Sequence, residues 1–225
     1  MSREDSLALA ERMKGQVWGT KVNDLLTDQG VGIIRKLRKF GEVMADGKFH
    51  DIPSTVRSHV RRCFRAGSAL VTVHASGGIA MMRAAVEEAK KHEEEILAIT
   101  VLTSLNEEDC QLTYGCSVKA AVLKFARWAA LAGVHGIVCS PRELEILNSY
   151  PEIASLFPVT PGIRDEDSPP DDQKRTATPT EAIRWSGNSR HKLVIGRLIT
   201  KDKDPVAKAQ QINQQVAVAR KELKS

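Results

Sequence analysis

The stretch Asp46-Gly47-Lys48-Phe49-His50-Asp51-Ile52-Pro53-Ser54-Thr55 holds the densest set of groups able to move a proton or stabilise a charge. Asp46 and Lys48 are two residues apart, so on an extended segment their side chains leave from the same face. An ammonium kept near carboxylates in a partly closed site stays protonated and can deliver that proton. Taken alone, such a pair is more simply a surface ion pair at a strand end. Here it has company: Lys21 ends the preceding apolar segment, Val17-Trp18-Gly19-Thr20, and belongs to the same rim. With Asp51, two ammonium and two carboxylate groups share one small volume. That alternation suits a reaction in which negative charge leaves one position while another develops nearby.

A second chemical feature lies near the C-terminus. Gly196-Arg197 follows the last apolar run, where glycine permits close backbone approach and arginine offers a fork of donors to a phosphate. Read by itself, a Gly-Arg pair is a strand-end turn. Arg164–Arg175, rich in Asp and Pro, has the composition of a surface loop. His74 and His50 invite a general-base role, but His74 enters the turn Ala75-Ser76-Gly77-Gly78 and His50 lies inside the Asp–Lys motif. Both are better read as local hydrogen-bonding or packing groups. Met81, Met82 and Ala85 form a stripe best explained by helix packing.

These groups need a scaffold. Short β-branched runs recur roughly every 25 to 35 residues, separated by amphipathic stretches, a βα rhythm. Strands are expected at Val17–Val22, Glu42–Asp46, Ala69–His74, Ile96–Leu102, Gly136–Ser140, Phe157–Thr160 and Lys192–Gly196. Helices are expected at Arg3–Lys14, Leu25–Lys39, Thr55–Ala66, Ile79–Lys91, Val118–Ala132, Pro141–Leu147, Thr180–Trp185 and from Pro205 to Leu223. Strands apolar on both faces and followed by helices imply a parallel sheet covered by helices, either open and doubly wound or closed into a (β/α)₈ TIM barrel. Polar residues end strand after strand (Lys21, Asp46, His74, Thr103, Ser140, Thr160, Arg197), which favours a barrel mouth over a single switch point. The chain begins with a helix, so a first N-terminal strand is apparently lacking. A single barrel domain over residues 1–225 is expected.

Composition narrows the class further. With 42% hydrophobic residues in 225, the chain can fill a core, and with only 4% aromatics that core is aliphatic. The 33 Lys+Arg against 28 Asp+Glu leave a mild +5 spread along the chain, weak grounds for a nucleic-acid partner. Cys63, Cys110, Cys116 and Cys139 show no metal-binding spacing and read as thiols in a reducing compartment. No apolar run reaches the roughly 18 residues of a membrane span, and the first residues are polar; a cytoplasmic protein without membrane contact is expected.

The string from Asp46 to Val56 resembles the DxKFHDIPxT signature of the orotidine 5'-monophosphate decarboxylase family. The likeness continues in order through Val73–Gly78, Val101–Ser104, Val138–Ser140, Val159–Arg164, Asp172–Arg175 and Val194–Arg197, and covers the chain from about residue 3. The resemblance implies conversion of orotidine 5'-monophosphate to UMP and carbon dioxide in pyrimidine synthesis, with no metal or organic cofactor. Lys21 then matches the lysine that contacts the ribose and the charged array, Asp46 the carboxylate facing the substrate carboxylate, and Lys48 the general acid. Asp51, Ile52 and Thr55 match a segment that the family contributes to its partner's site in a homodimer. Thr103 matches the hydroxyl that reads the pyrimidine. Arg164 and Gln173 fall on the phosphate-side loop, which makes Arg164–Arg175 a lid. Pro161 in the same motif, with Gly196 and Arg197, completes the substrate-binding positions.

Departures are a missing first strand and its aspartate, Gly47 where a bulkier apolar residue is usual, and Leu198 where proline often follows Gly-Arg. The missing strand reads as a mistaken start or a truncation relative to the family. Two rival readings follow: a related sugar-phosphate decarboxylase or aldolase sharing DxKxxD, and a nucleotide-binding remnant without catalysis.

Overall fold

The computed structural model describes residues 1–165 and 175–223. The chain divides into two compact units, Met1–Ala98 with Ala132–Val134, and Ile99–Leu131 with His135–Ser225.

The first unit opens with helix α1 (Arg3–Arg12), and no strand precedes it among the described residues. Then come β1 (Gly19–Val22), α2 (Asp24–Gln29), α3 (Gly32–Leu37), β2 (Glu42–Phe49), α4 (Pro53–Arg65), β3 (Leu70–His74), α5 (Gly78–Lys90) and β4 (Glu95–Ile99). β1 pairs with β2, and β2 with β3, both in parallel. The strands carry the deep core: Val43, Ala45, Val71, Val73, Ile96, Leu97 and Ala98 are all buried. Such runs, apolar on both faces, are what a helix-covered parallel sheet requires. Val56, Val60 and Phe64 of α4 are buried, as are Met81, Met82 and Ala85 of α5, so the methionine stripe is packing. A buried carboxylate joins these two helices: Glu88 accepts a forked pair from Arg61 at 2.7 and 3.1 Å and a third bond from Lys91. Those partners hold its carboxyl down at about 2.

The second unit contains α6 (Glu107–Tyr114), α7 (Val118–Ala132), β5 (Gly136–Val138), α8 (Leu144–Asn148), β6 (Phe157–Thr160), α9 (Pro179–Ser186), β7 (Lys192–Leu193), α10 (Arg197–Thr200) and α11 (Pro205–Glu222). β5 pairs with β6 and β6 with β7, again in parallel. Phe125, Ala126, Ile137, Phe157, Val159, Ala182 and Ile212 form its core. Parallel strands alternating with helices in this way are of the TIM-barrel-like α/β class.

Most expected elements are present, and the differences have local causes. The helix expected over Leu25–Lys39 is two helices, because Gly30 takes φ +60° and stops the first. α6 was absent from the expectation, although Asn106 and Asp109 form a reciprocal capping box at its start. β4 stops at Ile99 and β7 at Leu193, earlier than the apolar runs do. β2, in contrast, runs three residues past Asp46. Cys63, Cys110, Cys116 and Cys139 are free thiols, and burial pushes the Cys63 thiol up to about 12.

Candidate active site

The extension of β2 is what builds the charged cluster. Ala45 pairs with Val71, but the next partner of β3, Val73, is matched by Phe49. Asp46, Gly47 and Lys48 therefore stand opposite Thr72 alone, an irregularity that bends the strand and re-aims its side chains. Lys48 sits at φ +48°, in the left-handed region that non-glycine residues seldom occupy. Gly47 leaves room for a ring: a Cβ on it would lie 2.4 Å from Cζ of Phe49, which folds back over the bulge and meets His59 at 4.9 Å between centroids, so a larger residue at 47 goes with a moved Phe49 ring.

Asp46 is the hub. Its Oδ2 accepts from Lys48 Nζ at 2.6 Å and from Lys21 Nζ at 2.9 Å. Its Oδ1 accepts from Thr72 Oγ1 at 3.0 Å, and the same Thr72 oxygen accepts from the Lys48 backbone N–H at 2.9 Å. Asn23 Nδ2 donates to the Asp46 carbonyl at 2.7 Å. Lys21 lies beside Met44 in the β1–β2 register, so its long stem reaches diagonally to Asp46. Burial alone would push the Asp46 carboxyl up; Lys21 and Lys48 outweigh it and keep the group below its ordinary value. The result is a buried, ionised carboxylate with two half-exposed ammonium groups on one oxygen. Thr72 and Asn23 are structural members of this cluster that the sequence reading did not pick out. Thr72 is buried within an apolar strand, and only its place opposite the bulge reveals it.

Asp51 is not part of the cluster. It is exposed, and its Oδ1 accepts from the neighbouring Ile52 N–H at 2.6 Å. Ile52 is 64% exposed just before Pro53 starts α4, while Thr55 is half-buried on its first turn. The His74 and His50 rings lie 5.7 Å apart between centroids, tilted by 39°. Burial, helped by His50 and Lys48, lowers the His74 pKa.

The remaining candidates belong to the second unit. Thr103 is half-buried in the turn after β4, where Leu105 N–H donates to the Leu102 carbonyl at 3.0 Å. Pro161 follows β6, and Gly162 at φ +78° turns the chain into a short parallel bridge between Ile163 and Ala177. Arg164 N–H donates to the Ala177 carbonyl at 2.9 Å. Gly196 and Arg197 are exposed at the start of α10, and a Cβ on Gly196 would meet nothing within 4 Å. Gln173 and most of the expected lid lie outside the described residues. One buried group here went unread in the sequence: His191 Nε2 and Thr160 Oγ1 are 2.8 Å apart, and burial, with Arg220, drives its pKa to about 3. A lone histidine before a two-residue strand carries no pattern that would have announced it.

Parallel βα architecture with a Lys–Asp–Lys cluster across β1 and the bulged β2 is of the TIM-barrel-like α/β class. The sequence model of the Orotidine 5'-phosphate decarboxylase / HUMPS family matches residues 1–212, and the chain belongs to that family. It is 40% identical over 210 residues to the orotidine 5'-phosphate decarboxylase of Dichelobacter nodosus (strain VCS1703A), covering 90% of this chain and 89% of that one. Among solved structures it resembles orotidine 5'-phosphate decarboxylase from Lactobacillus acidophilus, with a TM-score of 0.73 at 30% identity over 87% of this chain and 85% of that chain. It also resembles an uncharacterized conserved protein from Geobacillus kaustophilus, with a TM-score of 0.81 at 28% identity over 96% and 95%. No helix among the described residues is long and apolar enough to cross a membrane.

Proposed function

We propose that the chain decarboxylates orotidine 5'-monophosphate to UMP in pyrimidine biosynthesis, with Lys48 as the proton donor. The observation that carries this reading is the pair of ammonium groups on one oxygen of buried Asp46. A substrate carboxylate brought beside Asp46 meets a like charge in a site of low dielectric, and loss of carbon dioxide relieves that repulsion. The carbanion left on the ring carbon is stabilised by Lys48 and then takes its proton. Lys21 keeps Asp46 ionised throughout and contacts the ribose side of the ligand. Thr72 fixes the carboxylate plane, so the charges are oriented before the substrate arrives.

Binding falls to other residues. Thr103 reads the pyrimidine; Pro161, Arg164, Gln173, Gly196 and Arg197 serve the phosphate side. Exposed Asp51 and Ile52, with Thr55, are assigned to a homodimer in which this segment completes the partner's site. No metal or organic cofactor takes part, and the enzyme works in the cytoplasm.

The direct test follows orotidylate ultraviolet absorbance on adding protein, with Lys48→Ala as control. Loss of absorbance with the native chain alone supports the reading; equal rates in the two sink it. A panel of sugar phosphates separates the related sugar-phosphate reaction. UMP binding by calorimetry without turnover would instead identify a non-catalytic nucleotide binder.

A further inference from the structure

Arg175 is used by no step above, yet its guanidinium and backbone touch several segments that carry binding candidates. Nη2 donates to the Leu102 carbonyl at 3.1 Å, one residue before Thr103. Nη1 pairs with the carboxylate of Glu143, which is buried in the turn after β5. That carboxylate cannot swing freely, because its other oxygen accepts from the Ser140 N–H at 2.9 Å. Ser140 Oγ in turn donates to the Arg175 carbonyl at 3.0 Å. The next residue is also held: Arg142 Nε donates to the Thr176 carbonyl at 2.8 Å while its guanidinium lies over the Trp185 ring. Ala177 then exchanges backbone bonds with Gly162 and Arg164, at 3.1 and 2.9 Å.

One side chain thus ties the Thr103 turn to the β5 exit, and the backbone that carries it is paired with the Gly162–Arg164 segment. The fork of arginine is what the arrangement needs, since a carbonyl and a carboxylate are served at once from one plane. Stability is a poor reason for such a pair. Removing both ions from water costs about as much as their attraction returns, and burial raises Glu143 despite the guanidinium beside it.

The geometry points to Arg175, held by Glu143, as a positioning residue that sets the Thr103 turn and the Gly162–Arg164 segment in the arrangement that receives the nucleotide. This role rests on the decarboxylase reading for its ligand, although not for its structural half. Arg175→Lys and Glu143→Gln are close to the native residues in size, and their double variant tests coupling.

The experiment combines hydrogen–deuterium exchange of the free full-length protein with steady-state kinetics on orotidine 5'-monophosphate. In Arg175→Lys, exchange should quicken at the Leu105, Arg164 and Ala177 amides and stay unchanged along β2 and β3. KM should rise about tenfold, the size expected for one charged hydrogen bond, with kcat within about twofold. Glu143→Gln should show the same pattern, and the double variant should be no worse than the poorer single. Native exchange and native KM in Arg175→Lys would overturn the role. So would faster exchange spread over the whole chain, or a fall in kcat at constant KM. If the native chain itself lacks decarboxylase activity, the decarboxylase reading fails, while the exchange pattern still decides whether Arg175 positions these segments.

Discussion

Asp46 in the first unit and Glu143 in the second are equally buried, each 6% exposed, and each is paired with a cation, yet their carboxyl groups are displaced in opposite directions. Asp46 has two ammonium groups and a threonine hydroxyl and is held below its ordinary value. Glu143 has one guanidinium and one backbone N–H, and burial pushes it up to about 7. At Asp46 two cations with their hydrogen bonds outweigh burial, whereas at Glu143 one cation does not. The same contrast separates the two sets of candidates. The Asp46 cluster is a source of oriented charge built where three adjacent strands, β1, β2 and β3, bring Lys21, Asp46, Lys48 and Thr72 together. The described second-unit candidates, Thr103, Pro161, Arg164, Gly196 and Arg197, are half-buried or exposed groups at turns and element ends.

The sharpest way to break this division is to remove charge from the first unit. Lys48→Ala should cut kcat by about 10²- to 10⁴-fold, the usual worth of a positioned general acid, and leave UMP binding close to native by calorimetry. Next in size, Arg197→Ala should raise KM about 10- to 100-fold, the worth of a charged hydrogen bond to phosphate, with a much smaller change in kcat. If Arg197→Ala instead loses kcat alone, the division into chemistry and binding is wrong.

Two smaller effects sharpen the carboxylate comparison itself. Because Glu143 is raised in the folded state, its contribution to stability is complete below pH about 4.5 and is lost as pH rises through about 7. Chemical denaturation across that range should show Glu143→Gln gaining on the native chain by roughly 1–3 kcal/mol toward high pH. Asp46 has the opposite sign: its contribution is present above its ordinary value of 3.8 and is lost as pH falls through the lowered folded value. Thr72→Val, which removes one hydroxyl from the Asp46 cluster, should cost about 1 kcal/mol in the same measurement and lower kcat by less than Lys48→Ala does.

What could be read from the sequence follows the range of the contacts. Asp46, Lys48 and Lys21 were legible because strand ends and two-residue spacing are local properties, and the structure brings all three together. Two-residue spacing alone does not build the cluster. A regular strand would not place three residues opposite Thr72, and neither the bulge nor the Phe49 ring folded back over Gly47 can be read from alternation. Parallel βα order was legible for the same local reason, while the break at Gly30 and the capping box of α6 were signals present but unused. Glu143–Arg175 and Thr160–His191 join residues more than thirty positions apart, and nothing in their own neighbourhoods marks them.

The most direct test compares kcat and KM of native, Lys48→Ala and Arg197→Ala chains on orotidine 5'-monophosphate, followed by ultraviolet absorbance. Loss of kcat in Lys48→Ala beside a raised KM in Arg197→Ala is the predicted result; native turnover in Lys48→Ala would contradict it.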